Sequence, residues 1–206
     1  MKPDEITLQT YQKIAPDFAR RNFHDWFWRD EFDIFRKLVG GKKVVDVGCG
    51  AGRDAALFCK HRFDYLGIDN SPAMIAHAKK RTKNGRFKVM DMIRLRLPAN
   101  SFDGFWAAAS LLHIPKAKIS GVLKNLRKAL KPGGTGFISV KHKNKPSEGL
   151  VEDAYAGFQR FFSYYNEPAL RKVLMKSGFR ILELYSKINK GDATRQKWIC
   201  ALVKKA

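Results

Sequence analysis

The sequence predicts an α/β fold: a doubly wound, mostly parallel sheet of seven strands with helices on both faces and an antiparallel hairpin at the C-terminus. Three observations support this fold class. Short apolar runs alternate with helical segments from residue 43 onward. A turn rich in glycine, residues 48–52, joins the first of these runs to a helix. The last two strands flank a turn-like segment, 189–192, which favours a hairpin.

The elements are predicted in the following order. The first forty residues are helical, because aromatic residues recur at helical spacing, and Gly40-Gly41 ends the pattern; the aromatic residues are Phe23, Trp26, Phe27, Phe32 and Phe35. The predicted strands cover residues 43–47, 63–68, 87–90, 102–108, 136–140, 180–187 and 197–203. One predicted helix follows the glycine turn, a second begins at Ser71-Pro72, and two more cover about 116–130 and 167–176. Residues 131–134 are predicted to form a turn. Ligands of such sheets bind at the carboxyl ends of the strands.

Length and composition limit the class of protein. The 206 residues are expected to form a single domain, 1–206, with a helical N-terminal segment (1–40) and a core (42–206). No signal peptide and no membrane span of roughly 18 apolar residues is found, so a soluble, cytoplasmic protein is expected. The three cysteines (49, 59 and 200) are scattered, which predicts neither disulfides nor a metal site.

The net charge of +21 raises the chance of a nucleic-acid partner. The alternative is a solvated basic surface, because the basic residues are spread along the chain. The densest runs are 79–83 and 141–145.

The glycine turn is the most informative motif. Its glycines stand at positions 48, 50 and 52, whereas a dinucleotide-binding loop would carry its third glycine where Arg53 stands. Asp46 places a carboxylate just before the turn. This pattern favours a ligand with a cationic ammonium group over one with phosphates, and it counts against a dehydrogenase.

Two further acids follow the next strands. Asp69 ends the second strand, about twenty residues after the glycine turn, where a carboxylate can accept both hydroxyls of a ribose. Asp91 stands in the same relation to the third strand and could accept from an adenine amino group. Together with Asp46 they predict a site for an adenosine linked to an amino acid.

At these residues the chain resembles the class I S-adenosylmethionine-dependent methyltransferases, from about Tyr11 to Val203. The matching segments are 45–54, Asp69, Asp91, 101–106 with 110–115, 130–134 and the terminal hairpin. The resemblance implies a Rossmann-like fold, S-adenosylmethionine as cofactor and S-adenosylhomocysteine as product. It also implies a small-molecule substrate methylated at O, N or S. The alternative is an RNA- or protein-directed methyltransferase that uses the basic surface. The intact motif disfavours a non-catalytic nucleotide-binding module.

The resemblance also implies roles for individual residues. Those that would contact the cofactor are Asp46, Gly48, Cys49 and Gly50 at the methionine part, Asp69 at the ribose, Asn70, Asp91 and Met92 around the adenine, and Ala108 through its backbone. Gly52 would allow the following helix to approach closely. Tyr11 would lie on a lid helix over the cofactor, unless this helix is an ordinary amphipathic surface helix.

The substrate side is less specific. His113 follows the fourth strand and is the candidate general base, with a structural histidine as the alternative. The aromatic group Phe161, Phe162, Tyr164 and Tyr165 could wall a substrate pocket or belong to the core. The run 141–145 could contact an anionic substrate or form a solvated loop. No cysteine is placed as a nucleophile for a C5 methyltransferase.

Overall fold

The computed structural model describes residues 1–22, 27–152, 155–188 and 195–206. Its helices are α1 (Pro3–Arg21), α2 (Arg29–Leu38), α3 (Ala55–Lys60), α4 (Pro72–Arg81), α5 (Lys116–Ala129) and α6 (Glu167–Lys176). Its strands are β1 (Lys43–Val47), β2 (Asp64–Asp69), β3 (Arg86–Val89), β4 (Phe102–Ala108), β5 (Leu130–Lys141), β6 (Glu148–Glu152), β7 (Gln159–Ser163), β8 (Phe179–Ile188) and β9 (Lys197–Lys205).

The main sheet has seven strands in the order β3-β2-β1-β4-β5-β9-β8. The first five run parallel, whereas β9 runs antiparallel to both β5 and β8. The predicted fold class, including the terminal antiparallel pair, is confirmed. The predicted turn at 189–192 lies outside the described residues, as do Phe23 and Trp26 of the predicted N-terminal helical region.

Successive residues of the central strands point to opposite faces of the sheet, and helices cover the apolar residues on both faces. Val44 and Trp106 pack with α2 and α3, and Trp106 stacks on Phe137 at 4.1 Å between ring centroids. Val45 and Phe105 point the other way, into a core shared with α5 and α6. The central strands β1 and β4 are therefore mostly apolar, and their charged residues are Lys43 at the start of β1, Asp46 near its end and Asp103 near the start of β4.

Local sequence signals set several boundaries. Ser71 is the N-cap of α4, as predicted, and its Oγ accepts a hydrogen bond from the Met74 amide. The predicted turn at 131–134 is instead the irregular start of β5. The register shifts between Phe102 and Gly104 on β4, and residues 131–133 remain exposed. Gly133 accommodates this bulge with φ +71°.

The sequence did not predict the antiparallel hairpin of β6 and β7, which forms its own two-stranded sheet. Four consecutive residues of β7, Arg160 to Ser163, are buried, so the alternation that reveals a half-buried strand is missing. Strand β7 packs against α1. The hairpin therefore connects the N-terminal helix to the segment that follows β5.

Helix α1 covers the glycine turn. Its Ala15 and Ala19 pack in a small apolar cluster with Ala51 and with Met74 of α4. Small side chains let the helix approach the turn closely. Among the described helices, none combines the length and apolar character needed to cross a membrane.

Candidate active site

A cavity of about 140 Å³, lined by described residues, opens at the carboxyl ends of β1, β2 and β4. Parallel strands bring the residues that follow them to this edge, as expected for an open α/β sheet. The predicted residues that line it are Tyr11, Asp46, Gly48, Cys49, Gly50, Asp69, Asn70, Met92, Ala108 and His113. Gly52 and Asp91 are not among its lining residues.

The glycine turn needs its glycines for two different reasons. Gly48, Gly50 and Gly52 have φ of +74°, +53° and +79°, a region that side chains strongly disfavour. A Cβ on Gly48 would lie 2.4 Å from the Cβ of Ser110, at the cavity wall. A Cβ on Gly52 would lie 3.0 Å from the Cα of Ala78. The helix that approaches Gly52 is therefore α4. The sequence had indicated α3, the helix that directly follows the turn.

Asp46 is the buried acid of the cavity. Only 3% of it is exposed, and the Tyr65 hydroxyl donates a hydrogen bond of 2.7 Å to its Oδ2. Burial raises the pKa of the Asp46 carboxyl well above its usual range, and the negative charge of Asp54 raises it further. A cation placed in the cavity would offset both effects, so this acid fits a ligand with an ammonium group.

Asp69 is held in one orientation by the backbone. Its Oδ2 accepts from the Gly50 amide at 2.9 Å, and its Oδ1 accepts from the Ser71 amide at 2.8 Å. Burial raises the pKa of Asp69, while these backbone donors act in the opposite direction. Each carboxylate oxygen can accept more than one hydrogen bond, so the group can also receive ligand hydroxyls.

Asp91 caps the turn after β3 and is not among the residues that line the cavity. Its Oδ1 accepts from the Ile93 amide at 2.8 Å. The neighbouring side chains, Met92 and Ile93, line the cavity instead. An apolar wall is suitable for an adenine ring, whereas the contact from Asp91 to an adenine amino group stays a prediction.

The sequence reasoning gave no role to three polar residues that line the cavity: Arg53, Asp54 and Ser110. Arg53 donates two hydrogen bonds to Asp54, at 2.8 and 2.9 Å, and the Trp106 indole donates a third at 2.9 Å. Burial raises the pKa of Asp54, but the charge and hydrogen bonds of Arg53 outweigh it and hold the pKa below its usual value. The sequence signal was Arg53-Asp54 directly after the glycine turn.

Ser110 supplies an orphaned hydroxyl beside Gly48. It is 3% exposed and lines the cavity, and its Oγ has no hydrogen-bond partner among the residues that the structure describes. A buried polar atom in this state requires a partner. With Asp46 and the bare backbone of the glycine turn, it fits the zwitterionic amino-acid end of a ligand such as S-adenosylmethionine.

The other end of the cavity is formed by the first turns of α1 and by His113. The Tyr11 hydroxyl and His113 Nε2 are hydrogen-bonded at 2.8 Å, and the His113 Nδ1 is 2.6 Å from the Phe161 carbonyl oxygen. A carbonyl oxygen only accepts, so Nδ1 carries a proton. Neutral His113 therefore accepts the Tyr11 proton at Nε2. The structure thus joins the predicted lid residue to the predicted base.

The aromatic group 161–165 belongs mainly to the core. Phe161, Phe162, Tyr164 and Tyr165 are at most 8% exposed, and none of the four lines the cavity. Phe162 nevertheless packs against the His113 ring, at 4.9 Å between centroids.

The basic run 141–145 begins at the last residue of β5, and two of its lysines stack on aromatic rings. Lys141 Nζ lies 3.9 Å from the ring centroid of Phe162, and Lys143 Nζ lies 3.9 Å from that of Tyr164. The other basic run, at the end of α4, places Arg81 in the cavity wall, where it donates to the Ala19 carbonyl. Among the described ranges, no three His, Cys, Asp or Glu side chains are grouped as metal ligands.

The chain is similar in sequence to methyltransferases. A family model described as a methyltransferase domain matches residues 44–134. The phosphoethanolamine N-methyltransferase of Triticum aestivum is 33% identical over 156 residues, which are 72% of this chain and 30% of that protein. The 2-methyl-6-phytyl-1,4-hydroquinone methyltransferase of a Synechocystis strain is 34% identical over 177 residues, 83% of this chain and 52% of that protein. The chain thus spans about a third to a half of the length of these two relatives.

Solved structures agree in fold. A crystal structure of the 1,6-didemethyltoxoflavin-N1-methyltransferase of Burkholderia thailandensis, with bound 1,6-didemethyltoxoflavin and S-adenosylhomocysteine, has a TM-score of 0.81 at 20% identity, over 100% of this chain and 91% of that chain. An S-adenosylmethionine-dependent methyltransferase of Methanosarcina mazei has a TM-score of 0.75 at 20% identity, over 84% and 96%. In sequence and in fold the chain is thus similar to class I S-adenosylmethionine-dependent methyltransferases, and its cavity fits S-adenosylmethionine.

Proposed function

We propose that the chain transfers a methyl group from S-adenosylmethionine to a small-molecule acceptor at O, N or S. The observation that carries this proposal is that one cavity joins the glycine turn and its acids to the Tyr11–His113 pair. The cofactor supplies a methyl group that its sulfonium already activates. The protein then has to place the acceptor, exclude water and receive a proton.

The cofactor end of the proposed site is built from three strand ends. Asp46 and the Ser110 hydroxyl would hold the ammonium and carboxylate of the methionine part, over the bare backbone from Gly48 to Gly50. Asp69 would accept from the ribose hydroxyls, because its carboxylate is already oriented by two amides. The remaining predicted contacts, which are Asn70, Met92 and the Ala108 backbone, lie around the same cavity.

The acceptor end would use Tyr11 and His113 together. An acceptor O–H or N–H would pass its proton to the Tyr11 oxygen as the Tyr11 proton moves to His113 Nε2. The resulting imidazolium would keep its Nδ1–H on the Phe161 carbonyl. Asp4, Thr7 and Leu8 line this end of the cavity, so a neutral or cationic acceptor suits it better than an anionic one.

We further propose that residues 1–40 act as a lid on a core of residues 42–206, within one domain. Three hydrogen bonds between α1 and β7 support this division. The Thr10 hydroxyl donates to the Gln159 carbonyl at 2.6 Å, the Phe161 amide donates to Thr7 Oγ1 at 2.8 Å, and Arg160 donates to the Tyr11 oxygen at 2.9 Å.

The relatives support a small acceptor. The names of those described above specify phosphoethanolamine, a phytyl hydroquinone and a toxoflavin precursor. The net charge of +21 is the one feature that favours an acceptor on RNA or protein. An RNA acceptor would make binding fall steeply with salt, whereas a small neutral acceptor would not.

Thermal unfolding with S-adenosylmethionine, NAD or ATP tests the cofactor half of the proposal. At about a hundredfold excess over its dissociation constant, the bound ligand stabilises by roughly 2.7 kcal/mol. For a chain of this size the midpoint should rise by roughly 5–10 °C. Asp69→Ala should abolish this rise, and Asp64→Ala, at the exposed opposite end of β2, should preserve it.

A rise with NAD or ATP alone would contradict the proposal. Methyl transfer itself is measured by release of S-adenosylhomocysteine with a panel of small hydroxy and amino compounds. Tyr11→Phe and His113→Gln should each lower kcat about 10²–10⁴-fold, and His113→Gln should leave the thermal rise with S-adenosylmethionine intact.

A further inference from the structure

Arg160 is a buried cation to which the sequence had given no role. It lies in β7 and is 7% exposed, and its Nη1 donates to the Tyr11 oxygen at 2.9 Å. The guanidinium carbon lies 5.2–5.3 Å from the ring centroids of Tyr11, Tyr155 and Phe162. Arg160 is not among the lining residues of the cavity. Three aromatic rings thus surround its guanidinium, and its described contact with the proposed site runs through Tyr11.

The hydrogen bonds through this group run in one direction. A guanidinium only donates, so the Tyr11 oxygen accepts from Arg160. Tyr11 then donates its own proton to His113 Nε2, and His113 Nδ1 donates to the Phe161 carbonyl. When His113 is neutral, the pure donor at one end of the series and the pure acceptor at the other determine where every proton between them lies.

We propose that Arg160 is a positioning residue, which keeps His113 neutral and its Nε2 lone pair directed at the Tyr11 proton. This inference rests on the proposed function, because it concerns the same proton path. A doubly protonated imidazole could also satisfy both of its nitrogens, by donating to the Tyr11 oxygen and to the Phe161 carbonyl. Arg160 opposes that state in two ways: its N–H already occupies the Tyr11 oxygen, and its positive charge repels a second one.

Other charged groups lie on the elements that pack around His113. Asp4 of α1 lines the same cavity, and Lys141 of β5 lies above the aromatic ring that packs on the imidazole. Glu148 of β6 accepts hydrogen bonds from the Ser163 hydroxyl and the backbone of α5. Arg160 is the cation that shares a hydrogen-bonded atom with His113, so its removal should affect the imidazole most.

The test is ¹⁵N NMR of the histidine rings across pH in the full chain, with His113→Gln to assign the signals. The unaltered chain should give the neutral form of His113 with its proton on Nδ1. In Arg160→Met the pH midpoint of the His113 signals should rise by about one unit. Arg160→Lys should stay near the unaltered chain, because an ammonium group also donates to Tyr11 and carries the charge.

A through-space effect of charge alone is distinguished by Tyr11→Phe, which removes the shared oxygen. Adding Arg160→Met to Tyr11→Phe should then move the midpoint by less than half as much as it does in the unaltered chain. An unchanged midpoint and tautomer in a folded Arg160→Met variant would overturn the inference, as would a shift in Arg160→Lys equal to that in Arg160→Met. Failure of S-adenosylmethionine to stabilise the unaltered chain would instead overturn the proposed function, and the ring signals would still be readable.

Discussion

Replacement of Lys187 by methionine should destabilise the fold far more than loss of a surface ion pair. Glu31 of α2 is 1% exposed, and Lys187 of β8 donates to its two carboxylate oxygens at 2.8 and 2.9 Å and to the Phe27 carbonyl at 2.8 Å. The Tyr185 hydroxyl donates to the same carboxylate at 2.9 Å. This pair ties α2 to the terminal hairpin.

The magnitude follows from what Lys187→Met leaves behind. The Glu31 carboxylate would keep the Tyr185 donor but lose its counter-charge, and the Phe27 carbonyl would lose a donor. Breaking a buried pair in this way costs about 3–5 kcal/mol. In a chain of this length that corresponds to a fall of roughly 6–20 °C in the unfolding midpoint.

The matched control is Arg36→Met, which breaks the pair between Arg36 and Asp33, whose side chains are 38% and 41% exposed. Solvent screens such an exposed pair, so its loss should change stability little. Urea unfolding followed by circular dichroism measures both variants. The double variant Glu31→Leu/Lys187→Met should lose less stability than Lys187→Met, because no unpaired charge remains buried. If Lys187→Met and Arg36→Met destabilised equally, the reasoning about burial would be refuted.

Three further outcomes are expected. Gly52→Ala should lower the free energy of unfolding by about 1–3 kcal/mol, because the φ of Gly52 is positive and α4 lies against this residue. The control is Gly40→Ala, where a Cβ would enter open space and should change that free energy little. Urea titrations measure both variants. Because the folded state holds the Asp46 proton more tightly than the unfolded chain does, protonation of Asp46 stabilises the ligand-free fold at low pH. This stabilisation is lost as pH rises through the raised pKa of Asp46. S-adenosylmethionine binding, which needs the carboxylate, should therefore weaken as pH falls, and calorimetry should show this dependence reduced in Asp46→Asn. Hydrogen exchange of residues 5–22 should slow with S-adenosylmethionine, less so in Tyr11→Phe; an unchanged rate would refute the lid.

Much of the fold could be predicted from local pattern. The apolar runs of β1 and β4 and the cap at Ser71 gave element bounds close to those observed, because these segments have strong periodicity or specific end residues. The β6–β7 hairpin could not be predicted. Its second strand is buried on consecutive residues by contact with α1, and that contact depends on tertiary structure.

Some residues of the candidate site could likewise be predicted from local sequence features, whereas others could not. The sequence indicated Asp46 and Asp69 because strand ends and a glycine turn are local features. It did not indicate Ser110 or Arg160. Ser110 is brought to Gly48 by the pairing of β1 with β4, and Arg160 reaches Tyr11 across 149 positions of the chain. Contacts over such separations leave no periodic signal.

The β6–β7 hairpin has a consequence for how acceptor choice can change. Its strand β7 holds α1 from outside, through Thr7, Thr10 and Tyr11, while α1 supplies the wall at the acceptor end. The cofactor end is formed by other strands. Substitutions in the hairpin can therefore shift that wall from outside the cavity, so this hairpin, which lies outside the main sheet, offers a separate route for divergence and for engineering by segment exchange.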